Sequence, residues 1–283
     1  MKKSTKRSVV AAAVAGTLTL AGPTTAQAGQ NDATRSTEAA CGAESGSSAL
    51  LTIDYESGTL NSGLPDLTTT HATAGDASYV VPSGSGRAVA HKVTLGDPAY
   101  VSDGAPRSES ATNDVHEGKF VVGDRQRYEF SVLLTDWKPF APGDSENGDI
   151  IFQGKHAGGN QPSFYLMTKR NSIAFRSPIL GLQATVVDDF RAHAGQWMHF
   201  RVDVGWTDDS TGFYRVSTRM PGETRYTLRT AFENVRTFHP VNPTTFGYLK
   251  WGLYRPGQTL EQGDVPTRVI HHDDIRVLDL PQP

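Results

Sequence analysis

Apolar and polar residues alternate along most of this chain from Leu50 onward. Tyr128, Phe130, Val132 and Leu134 fall on one side of the segment Arg127–Leu134. Met198, Phe200, Val202, Val204 and Trp206 alternate with His199, Arg201 and Asp203. A period of two sends successive side chains to opposite faces of a strand, so each segment buries one face and shows the other. Leu51–Tyr55, Ala88–Val93, Asp149–Gln153, Phe213–Ser217, Tyr248–Tyr254 and Val269–Leu278 are read as further strands. Ser163–Thr168 and Ser172–Arg176 flank Lys169-Arg170-Asn171, a gap of hairpin size. The best helix candidate is Ala184–Ala194, and it is a weak one. Many short strands without strand–helix–strand alternation predict an all-β chain, a jelly-roll β-sandwich of antiparallel strands.

Composition fits that picture. Gly 28 and Pro 16 supply the turns between strands. The lone cysteine, Cys41, excludes an internal disulfide framework and a cysteine-rich zinc site.

The N-terminus changes the charge reading. Lys2, Lys3, Lys6 and Arg7 precede an uncharged run to Ala28, and Ala26-Gln27-Ala28 supplies a small-x-small cleavage pattern. Residues 1–28 read as a secretory signal peptide, residues 29–48 as a disordered leader, and residues 49–283 as one domain. The expected product is secreted, monomeric and free of the membrane after cleavage. The whole chain has 27 basic and 30 acidic residues, net −3. Residues 1–28 carry four of the basic residues and no acidic one, leaving 23 against 30, net −7. That surface excludes a general nucleic-acid binder. A polyanion partner would need a local basic cleft.

Three polar sets stand out against the alternation. In Arg107-Ser108-Glu109 the two charged residues share a strand face, as a guanidinium aimed at a bound carboxylate and its support would. Phe152-Gln153-Gly154-Lys155-His156 puts Gln153 and Lys155 on one face, and His156 joins them only on a bulge or turn. Tyr248, Lys250, Gly252 and Tyr254 share one face of the next set, with Leu249, Trp251 and Leu253 on the core side. His271-His272-Asp273-Asp274 looks like a metal cluster, but adjacent strand residues face opposite ways.

In their order, these sets resemble the motifs of polysaccharide lyases with a concanavalin-A-like jelly-roll fold. Jelly-roll alginate lyases carry Arg-Ser/Thr-Glu, Gln-Ile/Val-His and Tyr-Phe-Lys-Ala-Gly-x-Tyr. The wider pattern is closer to the heparinase-I-like and glucuronan lyase group, with Glu56-Ser57-Gly58, Trp197 to Phe200 and Asp273 to Val277 as further pieces. The departure is Lys155 where the alginate lyases have histidine, so the place of that histidine falls either to His156 on a bulge or to Lys155.

The resemblance implies β-elimination on an anionic polysaccharide, a glucuronan-like uronate polymer being favoured. A base removes the proton beside the carboxylate, an acid protonates the leaving oxygen, and the site neutralises the carboxylate. Gln153 and Arg107 suit neutralisation, and Tyr254 suits acid–base work, with His156 as the alternative base. Lys155, Lys250, Tyr248 and Arg255 are expected to bind substrate, and Glu109 to orient Arg107. No cofactor is required for the chemistry. Related sandwiches often hold a structural calcium, for which Glu56 and Asp273 are the candidate ligands. The competing reading is a non-catalytic carbohydrate-binding module on the same fold, using aromatics such as Trp137, Tyr165 and Trp206. A sandwich glycoside hydrolase needs a paired-carboxylate strand motif that the chain lacks.

Overall fold

A computed structural model describes residues 48–135, 137, 147–260 and 265–282. The expected signal peptide lies outside the described residues, as does nearly all of the leader. Sixteen strands follow one another: β1 (Ala49–Ile53), β2 (Ser78–Ser83), β3 (Gly86–Thr94), β4 (Val101–Ser102), β5 (Ala105–Ala111), β6 (Lys119–Phe120), β7 (Arg125–Leu134) and β8 (Ile150–His156), then β9 (Pro162–Lys169), β10 (Ser172–Ser177), β11 (Leu182–Val187), β12 (Trp197–Gly205), β13 (Gly212–Arg219), β14 (Thr227–Val235), β15 (Gly247–Tyr254) and β16 (Thr267–Asp279). Three short 3₁₀ turns, Pro98–Tyr100, His116–Gly118 and Phe190–His193, lie between the strands.

The strands form two antiparallel eight-stranded sheets. The back sheet runs β14-β13-β12-β7-β16-β3-β2, with β1 also on β16. The front sheet runs β11-β10-β9-β8-β15-β5-β4, with β6 also on β15. The alternating positions meet between them. Tyr128, Phe130, Val132 and Leu134 of β7 are buried, as are Leu249, Trp251 and Leu253 of β15. Phe130 of the back sheet stacks on Phe152 of the front sheet with ring centres 3.9 Å apart. Such stacks add dispersion contact to the removal of large apolar area from water.

The expected helix is not there. Leu182–Val187 is β11, and only Phe190–His193 makes a 3₁₀ turn, opened by the Asp189 carboxylate accepting from Arg191 N. The pairing offered by β10 decides the segment, because the weak helical period has no partner face to bury.

Trp206 and Trp137 are buried rather than displayed for a ligand. The Trp206 indole N–H donates to Tyr128 Oη at 2.7 Å.

Candidate active site

The outward face of the front sheet gathers the three polar sets. Alternation on β5 turns Arg107 and Glu109 outward and Ser108 and Ser110 inward. The inward serines anchor the strand: their hydroxyls lie 3.1 and 3.3 Å from the two ring nitrogens of His91 on β3. His91 is fully buried, and burial pulls its pKa down to about 3, so the ring is neutral. A back-sheet histidine thus pins the strand that carries Arg107 and Glu109.

β15 lies between β5 and β8. Tyr254 pairs with Arg107, Gly252 with Glu109, Lys250 with Gln153 and Tyr248 with Lys155. Gly252 has φ of +140°, and a Cβ there would sit 2.3 Å from the Ser108 carbonyl oxygen. Only glycine lets the two backbones come this close.

Glu109 is the centre of the cluster and is 4% exposed. It accepts from Gln153 Nε2 at 2.6 Å and from Lys250 Nζ at 2.7 Å. Arg107 Nη1 is further away, 3.9 Å from Glu109 Oε2 and 3.6 Å from Asp103 Oδ2. Glu109 therefore holds Lys250 and Gln153 more closely than Arg107. Tyr254 does more of the orienting, since the Arg107 guanidinium lies 4.0 Å from the centre of its ring. One amide hydrogen of Gln153 is used on Glu109, which leaves the second for a ligand.

Lys155 is half-buried on the same face, and its pKa is lowered first by burial, then by the charges of Lys250 and Arg107. Tyr248 is raised, first by burial and then by Glu109 and Asp103. Three cations, Arg107, Lys155 and Lys250, thus share a face with the nearly buried Glu109 and the exposed Asp103. A carboxylate-bearing ligand meets donors of both amide and cationic type there.

Two expected site residues are elsewhere. The pairing of β15 with β8 runs without a break from Lys250–Gln153 to Gly247–His156. No bulge on that side turns His156 outward, so alternation sends it away from Gln153 and Lys155. It is 1% exposed, with its ring centre 4.4 Å from that of Phe238 and Nδ1 3.0 Å from Ser163 Oγ. Burial, and then His239, lower its pKa to about 4. It borders a cavity of about 380 Å³ with His239, Ile179 and Val241, away from the Glu109 cluster.

Arg255, expected at the substrate, is fully buried. Its Nε is 3.3 Å from Asp149 Oδ1, and its Nη atoms donate to Gln258 Oε1 and to the carbonyls of Val265 and Pro266. Asp149, also fully buried, pairs with Arg268 as well. Arg255 follows Tyr254 on the strand and points inward where Tyr254 points out.

The calcium candidates do not make a cage. Glu56 Oε1 is engaged by the Arg87 backbone N–H at 2.8 Å. Asp273 is near enough to Asp274, Glu56 and Asp54 that burial and then these charges raise its pKa to about 7. Among the described residues no three His, Cys, Asp or Glu side chains form a metal-holding group. Calcium also takes backbone and amide oxygens, and no chemistry is assigned to a metal here.

Sequence reasoning missed His91, which looks like an ordinary strand residue, and Arg176, which shares the outward face. The Tyr165–Arg176 hairpin pairing carried the signal for Arg176.

The same fold is seen in solved structures. An endo-β-1,4-glucuronan lyase from Trichoderma reesei superposes with a TM-score of 0.56 at 17% identity, over 82% of this chain and 96% of that one. An alginate lyase from Aplysia kurodai gives a TM-score of 0.55 at 10% identity, over 82% of this chain and 100% of that one. An alginate lyase from a Chlorella virus gives 0.50 at 12% identity, over the same shares. No curated protein sequence matches the chain. At such identities the likeness speaks for the sandwich. The sequence match comes from the family described as polysaccharide lyase, which covers residues 55–276 and so takes in all three polar sets. On that match the chain belongs to the polysaccharide lyase family, an enzyme acting on a polysaccharide.

Proposed function

We propose that this enzyme is exported and cleaves a uronate polymer of glucuronan type by β-elimination at the Glu109 cluster. The observation that carries the reading is Glu109 gathering Lys250 and Gln153 beside Arg107 on one sheet face. Those groups neutralise a carboxylate, which is what elimination next to a weakly acidic C–H requires. The glucuronan and alginate lyases that share the fold act, by their names, on uronate polymers. The basic, apolar and small-residue pattern of residues 2–28 supports export.

In this mechanism Arg107, Gln153 and Lys250 bind the carboxylate of the sugar that loses its C5 proton. Negative charge spreads into that carboxylate in the transition state, and the donors are already fixed there. Lys155, in its unprotonated form, accepts the C5 proton in place of the expected histidine. Its lowered pKa makes that form more available near neutrality. Tyr254 protonates the leaving oxygen. The C5–H and C4–O bonds break, a C4–C5 double bond forms, and no water is added. Water restores the two protonation states.

The test is a substrate panel of glucuronan, alginate, hyaluronan, heparan sulfate and heparin. Ultraviolet absorbance of the conjugated unsaturated end reports elimination. Fastest release from glucuronan is expected. Reducing ends without that chromophore would indicate hydrolysis and end the lyase assignment for this site.

A further inference from the structure

We propose that Arg176 and Tyr165 form a second carboxylate-binding subsite, two strands from Gln153, which holds a neighbouring uronate of the same chain. This rests on the lyase reading above for the identity of the polymer. The geometry comes from the sheet itself. Lys250 pairs with Gln153, Gln153 with Tyr165, Tyr165 with Arg176, and Arg176 with Gln183. One residue from each of β15, β8, β9, β10 and β11 thus makes a straight row across the strands. Their chain neighbours Phe152, Leu166 and Phe175 are fully buried in the core, so the row faces outward. At about 4.8 Å per strand, Arg176 lies roughly 10 Å from Gln153 along the row.

The residues of the row are suited to one ligand class. Among the described residues Arg176 forms no ion pair. Its guanidinium carbon is 5.8 Å from the centre of the Tyr165 ring, and Nη1 is 3.6 Å from the Met167 sulfur. A half-buried guanidinium over a ring and a thioether has lost water without gaining an anion. A carboxylate supplies the missing partner, in the forked geometry that arginine favours. Beside it, Ile150, Tyr165 and Met167 form a small buried apolar cluster against which the half-buried Tyr254 packs. The cluster fixes the Tyr165 ring that the Arg176 guanidinium faces. A polymer bound along the row crosses the strands, with one uronate at the Glu109 cluster and another at Arg176.

Binding can be read apart from turnover. In a Tyr254→Phe background, titration calorimetry with a tetraglucuronide gives Kd with and without Arg176→Gln. Arg176→Gln is expected to weaken Kd about tenfold, the usual worth of one charge-assisted contact. With a carboxyl-reduced tetrasaccharide the two proteins should bind alike. In the otherwise native enzyme, Arg176→Gln should raise KM on the polymer by a similar factor and leave kcat unchanged. The difference should vanish on the shortest oligouronide cleaved. An unchanged Kd for the tetraglucuronide overturns the subsite, as does an equal fall of kcat at every chain length. A native enzyme that releases no unsaturated ends from any uronate polymer removes the lyase reading instead, and the binding comparison still decides the subsite.

Discussion

The Arg107 guanidinium lies 4.0 Å from the centre of the Tyr254 ring. This contact depends on the aromatic face, while the proposed proton transfer depends on the phenol oxygen alone. Tyr254→Phe keeps the first and removes the second. We expect kcat to fall by about 10²–10⁴-fold, the usual weight of a positioned acid or base. The melting temperature should stay near that of the native protein. Near-native turnover on glucuronan would remove Tyr254 from the acid–base pair.

Lys155 offers a sharper test through charge. Arginine retains the positive charge but does not give up its proton. Lys155→Arg should therefore keep substrate affinity while lowering kcat at least a hundredfold, if a neutral amine takes the C5 proton. In the native enzyme kcat/KM should rise with pH through a midpoint below the ordinary lysine value, because burial, Lys250 and Arg107 all disfavour the ammonium form. A Lys155→Arg enzyme with native kcat and the same rising limb would show that Lys155 contributes charge only.

Arg255 should behave as a structural residue. Its removal leaves the fully buried Asp149 with less compensation, although Arg268 stays close. Arg255→Met is expected to cost about 3–5 kcal/mol in urea unfolding, the range for breaking a buried pair. KM for the folded fraction should be unchanged. A raised KM with native stability would return Arg255 to the substrate.

Asp273 gives a pH signature in stability. Its folded pKa, about 7, lies above that of an unfolded aspartate. Between about pH 4 and 7 the native state holds a proton that the unfolded chain has released, so stability falls as pH rises through that window. Asp273→Asn should flatten this part of the melting-temperature profile and raise the melting temperature at pH 8. An unaltered profile would mean that burial and the charges of Asp274, Glu56 and Asp54 do not raise this carboxylate.

The fold was legible because alternation is a local property that the sheets preserve. Tyr128 to Leu134 and Leu249 to Leu253 bury the faces their spacing predicts. The site was legible where residues two apart stay on one regular strand, as with Arg107 and Glu109 or Gln153 and Lys155. It failed at His156, where the reading needed a bulge that the β15 pairing does not supply. It failed again at Arg255, which the alternation that turns Tyr254 outward sends to the core side, where the buried Asp149 receives it. The helix expected over Ala184–Ala194 yielded to a neighbouring strand for the same kind of reason. Arg176 was within reach: pairing outward from Lys169 and Ser172 brings Tyr165 opposite it. Gln153 opposite Tyr165 could not be counted from the hairpin, since that register is set across a separate loop.

Gly252 has a consequence for how this enzyme can be changed. The gap between β15 and β5 is fixed by backbone meeting backbone, with no side chain that could be trimmed or enlarged to adjust it. Substitutions at the outward positions exchange functional groups at constant spacing. A side chain at 252 instead meets the backbone of Ser108 and Glu109, so β5 must give way where it carries the cluster. The distance between the two halves of the cluster is therefore a fixed gauge: new specificity is reached by redecorating the face, not by widening it.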